Sequence, residues 1–227
     1  MSDQQPVDCV KNPDNDRYNG CIGNTPYAAL DYWKANNAIL DSDYPYTSAD
    51  YTDDSPESEC LNDSSRKTRI KVKSYHFIGN KTEEGKLQLA DGDQIKTALS
   101  NIGPIQVSVQ VDSFASGHWK HYTGGCVFDC PDCPSGRLNH SVLLVGYGID
   151  KGTEYFLVKN SWGTNWGDQG YMKIINKENG VGQSGMFINP IYAVTMLEDP
   201  KVDENDHGMA TLVSMAALTI SSLFLFN

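Results

Sequence analysis

A histidine and an asparagine stand at the ends of two neighbouring apolar segments. His140 precedes the run 141–148, and Asn160 ends the run 154–160, 20 residues after His140. A histidine that acts first as a base and then as an acid needs one ring nitrogen free and the other held by a fixed acceptor. An asparagine oxygen can hold the ring without adding charge, and a tryptophan such as Trp162 can shield that bond from water. This arrangement suits a cysteine–histidine pair, because thiolate and imidazolium already neutralise each other.

The segments that carry these two residues have the pattern of β-strands. Residues 105–111 alternate strictly between apolar and polar side chains, which indicates a half-buried strand. Residues 141–148 indicate a more fully buried strand, and residues 154–160 and 170–175 follow between glycine-rich turns. The second half of the chain is therefore expected to form an antiparallel sheet.

The first hundred residues contain helix signals instead. Thr25-Pro26 places a proline in a first turn, and apolar residues follow near the 3.6-residue period as far as Ala35. A second short helix is expected at residues 93–100, ended by Gly103-Pro104. Helices followed by strands predict an α+β fold whose two parts divide near residue 103.

Charge and composition narrow the classes of function. Eighteen Lys and Arg residues against 29 Asp and Glu residues give a net charge of −11. Such a surface repels phosphate backbones, so nucleic-acid binding is disfavoured. Six cysteines and three Asn-x-Ser/Thr sequons, at Asn62, Asn80 and Asn139, favour an oxidising compartment of the secretory pathway. No signal peptide is visible at the start of the sequence.

Five motifs together resemble those of one enzyme family. They are Ser2-Asp3-Gln4-Gln5-Pro6-Val7-Asp8-Cys9, Gly20-Cys21-Ile22-Gly23-Asn24-Thr25-Pro26, Asp43-Tyr44-Pro45-Tyr46, H-x-V-x-x-V-G-Y-G at 140–148 and N-S-W-G-x-x-W-G-x-x-G-Y at 160–171. The sequence, over about residues 1–195, resembles the papain-like cysteine proteases of the cathepsin L type. The resemblance implies a papain-like two-lobe fold, with an incomplete helical left lobe and an antiparallel, barrel-like β right lobe. It implies a protein or peptide substrate, no cofactor and no metal, and a lysosomal, vacuolar or extracellular location.

The resemblance also assigns roles to individual residues. His140 would protonate the leaving amine and then activate water, while Asn160 orients its ring. The implied substrate-binding residues are Gly23, Asn24, Thr25, Pro26, Ser108, Asn139, Trp162, Trp166 and Asn189. Among these, Thr25, Pro26, Ser108 and Asn189 would wall an uncharged main specificity pocket, which suggests an apolar residue at the second position before the cut. Trp162 and Trp166 would face the leaving-group side, with a core position as the alternative for Trp166.

No stretch of the sequence matches the family's nucleophile motif, C-G-S-C-W. Cys9 lies 131 residues before His140, but Asp8 would oppose its thiolate, and no apolar helix follows it. The resemblance instead implies a Cys9–Cys60 disulfide and places the nucleophile segment upstream of Met1. The chain as given is then expected to be inactive. It would be either a fragment of an active protease or a catalytically dead, membrane-tethered peptide-binding paralogue or decoy.

The remaining cysteines allow two interpretations, a local disulfide or a zinc site. The resemblance makes Cys21 a free thiol here, because its partner would lie beside the nucleophile. Two of Cys126, Cys130 and Cys133 are expected to pair with each other. The alternative is a zinc site, since Cys130 and Cys133 form a C-x-x-C motif with His118 and His121 nearby.

The C-terminal residues differ from the rest of the chain. The sequence divides into a helical lobe at 1–103, a β lobe at 104–196, a polar spacer at 197–208 and an apolar tail at 209–227. Residues 209–226 carry no charge, and as a helix they would span about 27 Å, just short of the ~30 Å hydrocarbon layer. We expect membrane attachment, either through a GPI signal or through a transmembrane anchor.

Overall fold

The computed structural model describes residues 1–11, 20, 23–48, 59–61, 68, 70–85, 87–111 and 117–197. Its helices are α1 (Gln4–Cys9), α2 (Pro26–Ala35) and α3 (Gly92–Asn101). Its strands are β1 (Ile70–Phe77), β2 (Asn80–Lys81), β3 (Gln88–Leu89), β4 (Ile105–Val109), β5 (Val127–Phe128), β6 (His140–Asp150), β7 (Thr153–Lys159), β8 (Tyr171–Ile175) and β9 (Ile191–Leu197). The predicted α+β class is confirmed.

The described residues form two compact units. Of the described residues, one unit holds those up to Ser74 together with residues 194–197, and the other holds those of Tyr75–Ala193. The boundary predicted near residue 103 therefore falls inside the second unit. The reason is the packing of α3, whose Ile95 and Ala98 lie in the same hydrophobic core as the strands that follow.

The first unit is organised around helices α1 and α2. Helix α2 begins behind Thr25 with Pro26 in its first turn, as predicted, and buries Leu30 and Trp33. The indole Nε1 of Trp33 donates to Gln5 Oε1 at 3.1 Å, and the backbone N–H of Ile39 donates to the same oxygen at 2.9 Å. Gln5 therefore joins α1 to α2 and to the segment that follows α2.

The second unit contains most of a seven-stranded sheet. The strand order is β1-β9-β4-β6-β7-β8-β5, and the pairings of β4 with β6, β6 with β7 and β7 with β8 are antiparallel. Strand β5 pairs with β8 in the parallel direction. One face of the sheet supplies the core, to which β4, β6 and β7 contribute Ile105, Val107, Val109, Val142, Leu144, Phe156 and Val158.

The polar spacer and the apolar tail lie outside the described residues, except for Leu197 at the end of β9. Within the residues that the structure does describe, no helix has the length and apolar character to cross a bilayer. The sequon at Asn62 also lies outside the described residues.

Candidate active site

His140 and Asn160 lie at the same end of two paired strands. His140 is the first residue of β6, and Asn160 follows Lys159, the last residue of β7. Because the two strands are antiparallel and Leu143 pairs with Lys159, the start of β6 lies beside the end of β7. Nε2 of His140 is 2.9 Å from Oδ1 of Asn160. The structure therefore brings together the two residues whose types and spacing in the sequence predicted a hydrogen-bonded pair.

The hydrogen bonds of Asn160 define the tautomer of His140. Oδ1 of Asn160 also accepts a bond from the backbone N–H of Ser161 at 2.8 Å, so this atom is an acceptor and the ring nitrogen facing it is the donor. Nε2 therefore carries the proton, and Nδ1 is the basic nitrogen of the neutral ring. Within the described part of the chain, no hydrogen bond engages Nδ1. One nitrogen is held and the other is left for acid–base chemistry.

Burial dominates the electrostatics of the imidazole. His140 is only 9% exposed. Burial lowers the pKa of His140 below its ordinary value of 6.5, because the imidazolium loses its hydration, and the hydrogen bond to Asn160 partly offsets this by raising the pKa. The ring is therefore neutral at pH 7 with the groups described here.

Trp162 and Trp166 occupy different environments. The ring of Trp162 stacks on that of His140, with centroids 5.0 Å apart, and remains half-buried. Trp162 in turn meets Trp166 edge to face at 5.2 Å. Trp166 is 8% exposed, belongs to the hydrophobic core, and donates from Nε1 to the carbonyl of Trp119 at 2.8 Å. Trp162 covers the imidazole, and Trp166 supports Trp162 from the core.

A polar cluster lies on the sheet face opposite the core. Ser108 of β4 pairs with Ser141 of β6, and the Gln106 amide donates to their hydroxyls at 3.1 and 2.9 Å respectively. The alternation in residues 105–111 predicted a half-buried strand, but Gln106 is fully buried. That prediction was wrong for Gln106, because periodicity tells which residues share a face and not what covers that face. The resemblance pointed to Ser108 but not to Gln106.

Asn139 and Asn189 are engaged by backbone groups. Asn139 accepts from the N–H of Val111 at 2.8 Å and donates to its carbonyl at 3.0 Å, which fixes the residue immediately before His140. Asn189, with φ of 51°, accepts from the N–H of Gln88 at 2.7 Å. Both side chains therefore hold the local backbone, whether or not they also contact a substrate.

Gly23, Asn24, Thr25 and Pro26 lie in the first unit, at the start of α2. Gly23 has φ of +100°, a conformation that favours glycine. Apart from its chain neighbours, no atom of the described residues lies within 4 Å of the position where a Cβ would stand. Oδ1 of Asn24 accepts from the N–H of Thr25 at 2.8 Å. The four residues lead directly into α2.

Four of the five described cysteines form disulfides. Cys9 is bonded to Cys60, as the resemblance implied, and Cys130 is bonded to Cys133. Cys126 is a free, exposed thiol, and Cys21 lies outside the described residues. Among the described residues no sulfur atom hydrogen-bonds to His140.

The chain is similar in sequence to known cysteine proteases. The profile described as "Papain family cysteine protease" matches residues 1–194. A cathepsin L-like peptidase of Aedes aegypti is 34% identical over 191 residues, which cover 80% of this chain and 48% of that protein. Digestive cysteine proteinase 1 of Homarus americanus is 37% identical over 183 residues, covering 79% and 49%. The chain spans about half the length of the curated relatives it matches.

Structural comparison gives the same result for the fold. Digestive procathepsin L 3 of the Tenebrio molitor larval midgut superposes with a TM-score of 0.67 at 28% identity, covering 85% of this chain and 54% of that one. Bromelain from Ananas comosus, in complex with the E64 inhibitor, also gives a TM-score of 0.67 at 28% identity, covering 87% and 78%. The papain-like fold that the motifs implied is confirmed.

Proposed function

The chain belongs to the papain family of cysteine proteases, and we propose that it contributes the histidine and asparagine of a cysteine endopeptidase active site. The observation that carries the proposal is the 2.9 Å contact between His140 Nε2 and Asn160 Oδ1, which leaves Nδ1 as the basic nitrogen. Its substrates are proteins or peptides. The two disulfides support function in an oxidising compartment, lysosomal, vacuolar or extracellular.

The proposed reaction is peptide-bond hydrolysis in two steps. A cysteine thiolate attacks the substrate carbonyl carbon, and Nδ1 of the protonated His140 gives its proton to the leaving amine. The neutral ring then takes a proton from water, which attacks the thioester and releases the acid product. Asn160 holds Nε2–H throughout, so the ring keeps the orientation that both proton transfers need.

In this proposal the thiolate comes from none of the five cysteines that the structure describes. Cys9, Cys60, Cys130 and Cys133 are oxidised, and the exposed thiol of Cys126 is not hydrogen-bonded to the imidazole. The same observation favours a second candidate function, in which the chain binds extended peptides without cleaving them. The candidates differ in whether adding a nucleophile produces hydrolysis.

The test is to assay the chain with and without a nucleophile segment. The 227-residue chain, and the same chain joined at Met1 to the nucleophile-bearing segment of a cathepsin L-like relative, are incubated with a fluorogenic peptide carrying an apolar residue at the second position before the cut. We expect no turnover by the chain alone and turnover by the joined chain. Alkylation of the added cysteine should abolish that turnover.

Two outcomes would contradict parts of this proposal. Turnover by the chain alone that is lost in Cys21→Ser or in Cys126→Ser would place the nucleophile inside the chain. A joined chain that folds and binds the peptide but does not cleave it would favour the peptide-binding candidate.

A further inference from the structure

Two histidines and the first cysteine of a C-x-x-C motif line one cavity of the second unit. The cavity has a volume of about 350 Å³, and its lining includes His118, His121, Asp129, Cys130 and Asp132. The ligand atoms of His118, Cys130 and Cys133 all lie within 4.8 Å of one another. His140 and Asn160 are not among the residues that line the cavity. The cluster is therefore separate from the proposed catalytic pair.

We infer that this cluster is a redox-gated site for a soft divalent cation such as zinc. His118, Cys130 and Cys133 are the protein ligands, and water fills the fourth position. In the structure the two sulfurs are joined as a disulfide, so the site is closed to metal. Reduction opens it.

The ligand spacing is close to what zinc requires. Zn–S bonds of about 2.3 Å in a tetrahedral site place two sulfurs about 3.7 Å apart. A disulfide holds its two sulfurs about 2.05 Å apart, so after reduction they must separate by about 1.7 Å, which rotation of the cysteine side chains can supply. The His118 nitrogen already lies within 4.8 Å of both sulfurs. Thiolate and imidazole ligands also favour zinc over harder cations such as magnesium and calcium, which prefer oxygen ligands.

The backbones that carry the ligands are held by bonds that do not involve sulfur. The buried Gln183 amide donates to the carbonyl of Cys130 at 2.9 Å, and the N–H of Cys133 donates to the same carbonyl at 3.2 Å. Next to His118, Trp119 is fully buried and donates from Nε1 to Ser184 Oγ at 3.1 Å. Opening the disulfide therefore leaves the two cysteines and the histidine near their present positions.

The charge of the cavity favours a cation. Asp129 and Asp132 both line it, and Lys177 pairs with Asp129 at 3.3 Å. The chain as a whole carries a net charge of −11. A divalent cation would thus enter a negative field, and it would meet two thiolates after reduction.

The opening step balances with glutathione as the reductant. Two glutathione thiols reduce the Cys130–Cys133 disulfide, which gives two cysteine thiols and one molecule of glutathione disulfide. The cation then displaces both thiol protons and forms two metal–sulfur bonds and one bond to the His118 imidazole. Because the cation binds only the reduced form, it favours reduction of this pair.

The first test is a cobalt titration of the whole chain after reduction by a phosphine. We expect one cobalt ion per chain with a thiolate-to-cobalt charge-transfer band, and no band in the oxidised chain. Cys130→Ser should abolish the band, whereas Cys126→Ser should keep it. His118→Ala should weaken cobalt binding by more than about tenfold, which is the loss expected when only the hydrogen-bond partner of a ligand is removed. The control His76→Ala should leave cobalt binding unchanged. A band that persists in Cys130→Ser would overturn the inference.

The second test does not depend on the stability of the fully reduced chain. The Cys130–Cys133 pair is titrated in glutathione redox buffers with and without zinc, and its thiols are counted by alkylation and mass spectrometry. Zinc should shift the midpoint toward more oxidising buffers in the wild-type chain, and the shift should be much smaller in His118→Ala. An unchanged midpoint in the wild-type chain would overturn the inference.

Discussion

The imidazole of His140 is subject to two opposing effects at the scale of a single residue. Burial lowers its pKa and the hydrogen bond to Asn160 raises it, with burial the larger effect. A thiolate placed beside Nδ1 would add a third effect that raises the pKa, because an opposite charge favours the imidazolium. The pKa of this residue therefore reports whether a nucleophile is present.

The lowered pKa of His140 predicts a pH dependence of stability. The folded chain binds this proton less readily than the unfolded chain, whose histidines titrate near 6.5. The contribution of His140 to the free energy of unfolding should therefore be constant above that range, fall as the pH drops from about 6.5 to the folded pKa, and level off below it. Urea unfolding at a series of pH values, compared with His140→Gln, measures this. Equal pH profiles for the two proteins between pH 7 and pH 5 would contradict the prediction.

The sequence predicted the roles of polar residues at strand ends, but it did not predict which polar faces of the sheet are buried by other parts of the protein. His140 and Asn160 could be chosen because their types and the strands around them predict a hydrogen-bonded pair, and the structure contains that bond. Gln106 could not be recognised, because an alternating strand gives the same pattern whether its polar face meets water or other protein groups. The Cys130–Cys133 bond likewise depends on how the loop folds.

At the scale of elements, local signals predicted helices and strands but not their long-range partners. The predicted helices at 25–35 and 93–100 correspond to α2 and α3, and four predicted strands correspond to β4, β6, β7 and β8. Strand β1 was not predicted, although Ile70-Lys71-Val72-Lys73 alternates between apolar and polar residues. The strand order and the parallel pairing of β5 with β8 depend on partners that are distant in the chain, which a single sequence does not reveal.

The N-terminus of α3 provides a prediction at this scale. Asp91 accepts from the N–H of Gln94 at 2.8 Å, and the Gln94 side chain accepts from the N–H of Asp91 at 3.0 Å, which forms a capping box. Asp91→Ala should lower the free energy of unfolding by about 1 kcal/mol, measured by urea denaturation. Asp91→Asn, which keeps a capping oxygen, should lose much less. Equal losses of unfolding free energy in Asp91→Ala and Asp91→Asn would show that the capping hydrogen bond does not stabilise the N-terminus of α3.

For the whole molecule, the two disulfides should differ in their contribution to stability. Cys9 and Cys60 are 51 residues apart, and Cys130 and Cys133 only three. Closing the longer loop restricts the unfolded chain more. Loop closure should therefore add about 4 kcal/mol to the free energy of unfolding for Cys9–Cys60 and about 1.6 kcal/mol for Cys130–Cys133. Replacing both members of each pair by alanine and measuring thermal unfolding gives the comparison. A larger loss for the short loop would contradict this account.

The assignment of His140 as the acid–base group is tested most directly by peptide hydrolysis. In the chain joined to a nucleophile segment, His140→Ala should lower kcat/KM for a fluorogenic peptide by about 10⁴-fold or more, with the loss in kcat. The control His76→Ala replaces a histidine that stacks on Tyr192 in the same unit and should leave kcat/KM unchanged. An enzyme that retains most of its kcat/KM after His140→Ala would contradict the assignment.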